Sequence, residues 1–273
     1  MSQTNYRVLL LIPLAMCIVL AIGVTTTSVG DARLLFYRYE VIFVKTLATA
    51  GCLYAAFGFH RGDYLRRAWI LLGFSYFLLL AIDLFFAPPA HTGVTGFSPT
   101  VMRLRGSIVL LSNLAAVAGL FMLARTWREA GLEPPGSPLS RRLMAVGFAV
   151  VTMVVVGQSI YFDTRDLAAG NLQGFAGIAS DLGDLISLCL IAPVLWTALA
   201  LRGGVLVWPW LLLSAAQIGW LLYDAAGTLG YALHLEHGRL RPVEELFRSL
   251  ACTMAMISGV AQRWAISGRK QRD

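Results

Sequence analysis

Long apolar runs separated by short charged stretches set the pattern of this chain. Eight runs stand out, at about residues 8–28, 40–60, 67–87, 104–125, 142–162, 178–201, 205–231 and 243–264. Each has about the 20 residues needed to cross the hydrocarbon of a bilayer. In lipid every backbone polar group must pair within its own segment, so the runs predict helices. The expected fold is an all-α integral membrane protein, with eight transmembrane helices in one domain spanning 1–273. The first run follows a single early charge, Arg7. It is long for a cleaved signal peptide and is read as the first span.

Composition supports this reading. The chain is 58% hydrophobic and 14% charged, whereas a soluble domain carries about 25% charge. The net charge of +7 comes almost wholly from arginine. It does not point to nucleic acid, because no basic patch is interleaved with polar recognition residues. Eight spans place both termini on one side. That side holds Arg7, Arg61, Arg66, Arg67, Arg125, Arg128, Arg141, Arg142, Arg202, Arg263, Arg269, Lys270 and Arg272. The other side holds Arg33, Arg38, Arg103, Arg105, Arg165, Arg239, Arg241 and Arg248. The basic-rich side is expected to be cytoplasmic, in a bacterial inner membrane. Trp69, Trp127, Trp208, Trp210 and Trp264 lie near the inner helix ends, where an aromatic belt is expected. Cys17, Cys52, Cys189 and Cys252 all fall within apolar runs and read as small hydrophobes rather than disulfide or metal ligands.

The halves of the chain resemble each other. A shift of 141 residues superposes Arg61-Gly62 on Arg202-Gly203, Trp69 on Trp210 and Asp83 on Asp224. Eight of the 23 positions from Arg61 to Asp83 are identical, four of them leucine. Glu40 falls on Asp181, and a slightly different shift brings Arg103 near Arg241. The stretch EAGLEPPGSPLS divides the two halves. Two parallel four-helix repeats are therefore expected, repeat one about 1–130 and repeat two about 139–266, followed by a short basic cytoplasmic tail at 267–273. Parallel repeats occur in transporters, with ligand sites between them. Convergence of helix–Arg-Gly–helix pairs on one pattern is the simpler alternative.

Acids interrupt these spans at matching depths. Asp83 follows Trp69 by 14 residues, and Asp224 follows Trp210 by the same interval. At the helical rise each stands roughly 21 Å above the inner interface, within the outer third of the core. Lys45 is about level with them, Asp184 slightly higher, and Glu40 and Asp181 reach the outer rim. A charge left in lipid costs at least ~3 kcal/mol, so these groups are expected to face inward and pair. Lys45 with Asp83 is the expected pair, on consecutive antiparallel helices. Asp181 and Asp184 share a helix face that Ser187 continues. Gln217 and Tyr76 extend polar lines inward from Asp224 and Asp83. Pro193 predicts a kink in the sixth span. The expected arrangement is one outward polar chamber formed by Glu40, Lys45, Asp83, Asp181, Asp184, Gln217, Asp224, Arg241, Glu244 and Glu245, capped by Arg38, Arg103, Arg105 and Arg241. A structural ion-pair network is the alternative, and the helix dipole alone accounts for an acid at Asp181.

Other motifs carry less. His234 and His237 flank Glu236 in HLEH, but a metal site needs three or four convergent ligands. His60 and His91 stand apart. Neither metal nor cofactor is expected. Lys45 as a Schiff-base nucleophile is weighed against a salt bridge, which is the commoner role. Pro242 suits a first helical position, and Glu244 and Glu245 suit a first turn.

Two stretches resemble known families. The segment SDLGDLISLCLIAPVLWTALALRGG, followed by a helix ending WLLYD, resembles the multi-span input segments of bacterial membrane signalling proteins. The resemblance covers Ser180 to Asp224 and rests on Asp184 and Asp224. It implies a free-standing sensor, a partner subunit or a binding protein, with no output domain of the kind those segments precede expected here. Pro242-Val243-Glu244-Glu245 is similar to the Pro-x-Glu-Glu motif of the lycopene cyclase domain, a duplicated membrane fold. That resemblance implies acids that protonate a polyene. The first repeat has PTVMRLR in the corresponding place, and most of the aromatic residues expected before Pro242 are absent.

The function expected from the sequence is binding or sensing of a small molecule or lipid head group at the outer face. An isoprenoid- or lipid-modifying enzyme and a small-solute transporter are the alternatives, and recognition ranks ahead of catalysis. The expected partners are the lipid bilayer, a small-molecule or lipid ligand and a membrane partner subunit, with no nucleic acid.

Overall fold

A computed structural model describes residues 8–27, 30–86, 98–129, 137–171, 173–201, 204–233 and 240–267. Eight helices of 16 residues or more run through them: α1 Leu11–Thr26, α2 Asp31–Ala56, α3 Tyr64–Phe85, α4 Pro99–Glu129, α5 Pro138–Ala168, α6 Gln173–Ala200, α7 Val207–Ala232 and α8 Arg241–Ser267. No strand occurs among the described residues. Helix starts follow local chemistry. Ser137 caps α5 by accepting from Ser140 N, with Pro138 at the first helical position. Gly62, at a φ of 103°, supplies the left-handed turn between α2 and α3. Pro193 lies inside α6, which remains one helix from end to end.

Among the described residues, four helices are long and apolar enough to cross a membrane: Tyr64–Phe85, Pro99–Thr126, Pro138–Ala168 and Gly177–Ala200. The chain is therefore read as a membrane protein. Helix α1 is apolar but shorter. Helices α2 and α8 instead carry buried polar groups. In α2 these are Glu40, Lys45 and Thr49. In α8 they are Glu245, Ser249, Thr253, Ser258 and Gln262. Such residues suit a helix enclosed by others better than one facing lipid.

Neighbour relations close a ring. Helices α2, α3, α4, α6, α7 and α8 each pack on the next in that order, and α8 returns to α2. Helix α1 lies outside against α8 and α2, and α5 lies outside against α6 and α7. The outward face of α5 presents Leu139, Leu143, Val146, Val150 and Val154, which lipid would cover without cost.

Small residues allow close crossings in the ring. Gly51 of α2 meets the backbone of α8 at Met256, and Gly259 of α8 meets the backbone of α2 at Gly51. Gly219 brings α7 onto Ala251 of α8. Gly183 receives the Asn113 side chain of α4, whose Nδ2 donates to Ala179 O at 2.8 Å.

The main core is apolar and draws on all six ring helices. It includes Val44, Ala48 and Cys52 of α2, Trp69 and Leu72 of α3, and Leu120 and Leu123 of α4. Val194 and Ala198 of α6, Trp210 and Leu213 of α7, and Cys252 and Ala255 of α8 complete it. Trp69 and Trp210 correct a sequence expectation. They are 2% and 6% exposed and fill the core instead of presenting their rings to lipid as a belt would. Their large apolar surfaces are better satisfied by packing than by an interface. The four cysteines are free; Cys52 and Cys252 are buried, whereas Cys189 is exposed.

Candidate functional site

Above that core the ring opens into a polar space. Every ring helix contributes to its wall: Lys45 from α2, Tyr76 from α3, Asn113 from α4, Asp184 from α6, Gln217 and Asp224 from α7, and Arg248 from α8. Its volume is about 190 Å³. Lys45 Nζ donates to Asp83 Oδ2 at 2.5 Å, joining α2 to α3 as the matched depths suggest. Trp220 Nε1 donates to Tyr76 OH at 3.3 Å, tying α7 to α3. Ser75 and Ser112 share a buried hydrogen bond of 3.0 Å between α3 and α4.

A second space of about 360 Å³ adjoins the first. Its walls come from α5, α6, α7 and α8. Asp163 and Asp166 lie in the last turns of α5, and Asp181 near the start of α6. Asp224 and Thr228 lie late in α7, and Glu244 lies in the first turn of α8. All therefore gather at the end of the bundle holding the α5–α6 and α7–α8 connections. Tyr223 and Asp224 line both spaces and form the wall between them. The sequence suggested one chamber; the polar region instead comprises two spaces that meet at Tyr223 and Asp224.

The acids differ in their partners. Glu245 is 3% exposed and is held by Arg248, one turn on, and by Arg241 at 3.5 Å. Arg248 also stacks on Tyr223 at 5.6 Å, and Arg241 on Tyr37 at 5.4 Å. Glu40 is buried and neither of its oxygens has a hydrogen-bond partner. Asp181 and Asp224 each have a buried Oδ2 without one. Asp184 is contacted by Ser180 at 3.5 Å.

The expected residues thus separate. Lys45, Asp184, Gln217 and Asp224 line the central space. Asp181, Asp224 and Glu244 line the lateral one. Asp83 is held through Lys45, whereas Glu40, Arg241 and Glu245 line neither. The arginines expected as a cap do not line either space. Arg105 Nη1 instead donates to Phe86 O at 2.5 Å, at the end of α3, and a guanidinium that finds a free helix-end carbonyl has its own reason to stay there. His91, His234, Glu236, His237, Arg202, Gly203 and the C-terminal tail lie outside the described residues.

Sequence reading missed Asp163, Asp166, Ser159 and Tyr223. The apolar run ends near residue 162, but α5 continues to Ala168 and carries Asp163 onto the lateral space. The glycines of α6 were the available signal. Gly174 and Gly177 leave room for the Asp163 backbone and carboxyl respectively, so that α5 and α6 approach closely there.

No protein-family model matches the chain, and no curated protein or solved structure matches it either. No group of three or more His, Cys, Asp or Glu side chains suited to a metal occurs among the described residues.

Proposed function

We propose that this chain is a multi-span protein of a bacterial inner membrane that binds or senses a small molecule or lipid head group through the paired polar spaces. In this reading all eight helices belong to the bilayer domain, both termini are cytoplasmic, and the acids of α5 to α8 face outward. The observation that carries the proposal is the pair of adjoining polar cavities sharing Tyr223 and Asp224 above an otherwise apolar ring. Structural ion pairs alone would pair every carboxyl, whereas Asp181 and Asp224, which line a cavity, each keep one buried oxygen without a hydrogen-bond partner.

The repeat belongs to this reading. Exchanging α1–α4 for α5–α8 carries the α2–α8 contact onto α6–α4, and α2–α3 and α3–α4 onto α6–α7 and α7–α8. The central space lies inside the ring so exchanged, where ligand sites form between repeats. Recognition ranks ahead of catalysis because Glu245 is held by two arginines and lines neither cavity. It ranks ahead of transport because Trp69, Trp210 and their apolar neighbours close the ring below.

The test is accessibility. Ser159→Cys, made with the native cysteines replaced, should react in intact spheroplasts with a membrane-impermeant thiol reagent. Reaction only after the membrane is opened would place the cavity on the wrong side and end the proposal.

A further inference from the structure

The lateral cavity gathers carboxyl groups from four helices. Asp163, Asp166, Asp181, Asp224 and Glu244 line it, with no lysine, arginine or histidine among the described lining residues. Two nearby arginines are engaged elsewhere: Arg248 holds Glu245 and covers Tyr223, and Arg241 holds Glu245 and covers Tyr37. Asp181 is 8% exposed, lines the cavity and has an Oδ2 with no hydrogen-bond partner. An oxygen so enclosed has lost water without gaining a donor, which is costly for a carboxyl group unless something else supplies one.

We propose that the lateral cavity is a site for an organic ammonium group. The inference rests on the recognition reading above and names the ligand chemistry. An inorganic anion would face five carboxyl groups, with only the neutral donors Gln158, Ser159, Tyr223 and Thr228 to offset them. A bare divalent ion would need a tight oxygen cage, and no suitable group of ligands is assembled among the described residues. An ammonium group asks for less geometry. Its charge is spread over N–H or methyl groups, so carboxylates at several distances hold it, and Phe162, Tyr223 and Val156 offer surface to its carbon atoms. The volume of about 360 Å³ accepts an amine of modest size and leaves room for water. A free amine and an amine-bearing lipid head group share this chemistry.

The experiment uses the full chain in nanodiscs made only of phosphatidylglycerol, which has no amine. Choline, putrescine, magnesium and inorganic phosphate are titrated at matched ionic strength while thermal unfolding is followed. Choline or putrescine should raise the unfolding temperature saturably, by about 5 °C near saturation, and magnesium and phosphate should not. Asp181→Asn should weaken the response at least tenfold. Gly227→Val is the second variant. An added Cβ there meets only Glu244 Oε1, at 3.7 Å, so the backbone has room for a side chain whose methyl groups should fill part of the cavity, again with at least a tenfold loss; a control measurement of unfolding without ligand checks that it folds. Doping the nanodisc with phosphatidylethanolamine separates the sources: competition with choline identifies a head group, and no competition identifies a free amine. Absence of any amine response, an equal response to magnesium, or full responses in both variants would overturn the ammonium assignment. If Ser159→Cys still reacts from outside, the outward recognition site survives that loss.

Discussion

Gly51 and Gly259 face each other where α2 crosses α8, so closely that a methyl group on Gly259 would enter the Gly51 carbonyl. The crossing holds together the two ring helices richest in buried polar groups. Gly259→Ala should therefore destabilise the fold by about 3 kcal/mol, since backbone cannot move aside as a flexible side chain can. Gly147→Ala is the matched control, because nothing lies within 4 Å of the added methyl. It should be neutral or stabilising by about 0.5–1 kcal/mol. Unfolding in one detergent reads both.

Lys45 and Asp83 should behave as a unit. Removing either charge alone leaves the other in the bundle without its partner, at a cost of about 3–5 kcal/mol. Lys45→Met combined with Asp83→Leu should recover much of that loss. A double-mutant cycle measures the coupling, and additive single effects would show that the 2.5 Å contact contributes nothing net.

Asp224→Asn should behave differently. Its Oδ2 has no hydrogen-bond partner and it borders both cavities. The amide keeps its shape and removes a buried carboxyl, so unfolding should change by less than about 1 kcal/mol. The amine response of the lateral site should fall at least tenfold. A large stability loss with the response retained would mark Asp224 as a structural group instead.

Tyr76→Phe isolates one link between α3 and α7. It deletes the acceptor of Trp220 Nε1 while keeping the ring in the core. The expected cost is about 1–2 kcal/mol, for one lost hydrogen bond and one part-buried donor left bare. Thermal unfolding beside Trp220→Phe measures it, and the double variant should cost little more than either single change.

Much of the helical order was legible because long apolar runs favour segments that pair their own backbone groups. The eight apolar runs and the eight helices agree to within a few residues at most ends. The chief exception is α2, which begins at Asp31 rather than near residue 40 and carries Arg33 and Arg38 within the helix. The Lys45–Asp83 contact was legible as well, because depth follows from counting residues along a helix. Azimuth was not. Counting gave Glu40, Asp181 and Asp184 similar heights, but only packing decides that Asp181 meets the lateral cavity, Asp184 the central one and Glu40 neither. Asp163 was hidden for a related reason: hydropathy marks where lipid ends, not where α5 ends. Trp69 and Trp210 show the opposite failure, since their positions near span ends fitted a belt while their side chains fill the core.

The buried stripe Glu245, Ser249, Thr253, Ser258 and Gln262 also bears on biogenesis. A ribosome delivers α8 after the seven other helices, and this segment is a poor candidate for entering lipid unaided. It must be received by a prepared groove formed by α1, α2 and α7. Closure of the ring is thus a late event in synthesis, and a nascent chain stalled before residue 241 lacks the helix that closes the ring and, with it, the Arg248 and Glu244 walls of the two cavities.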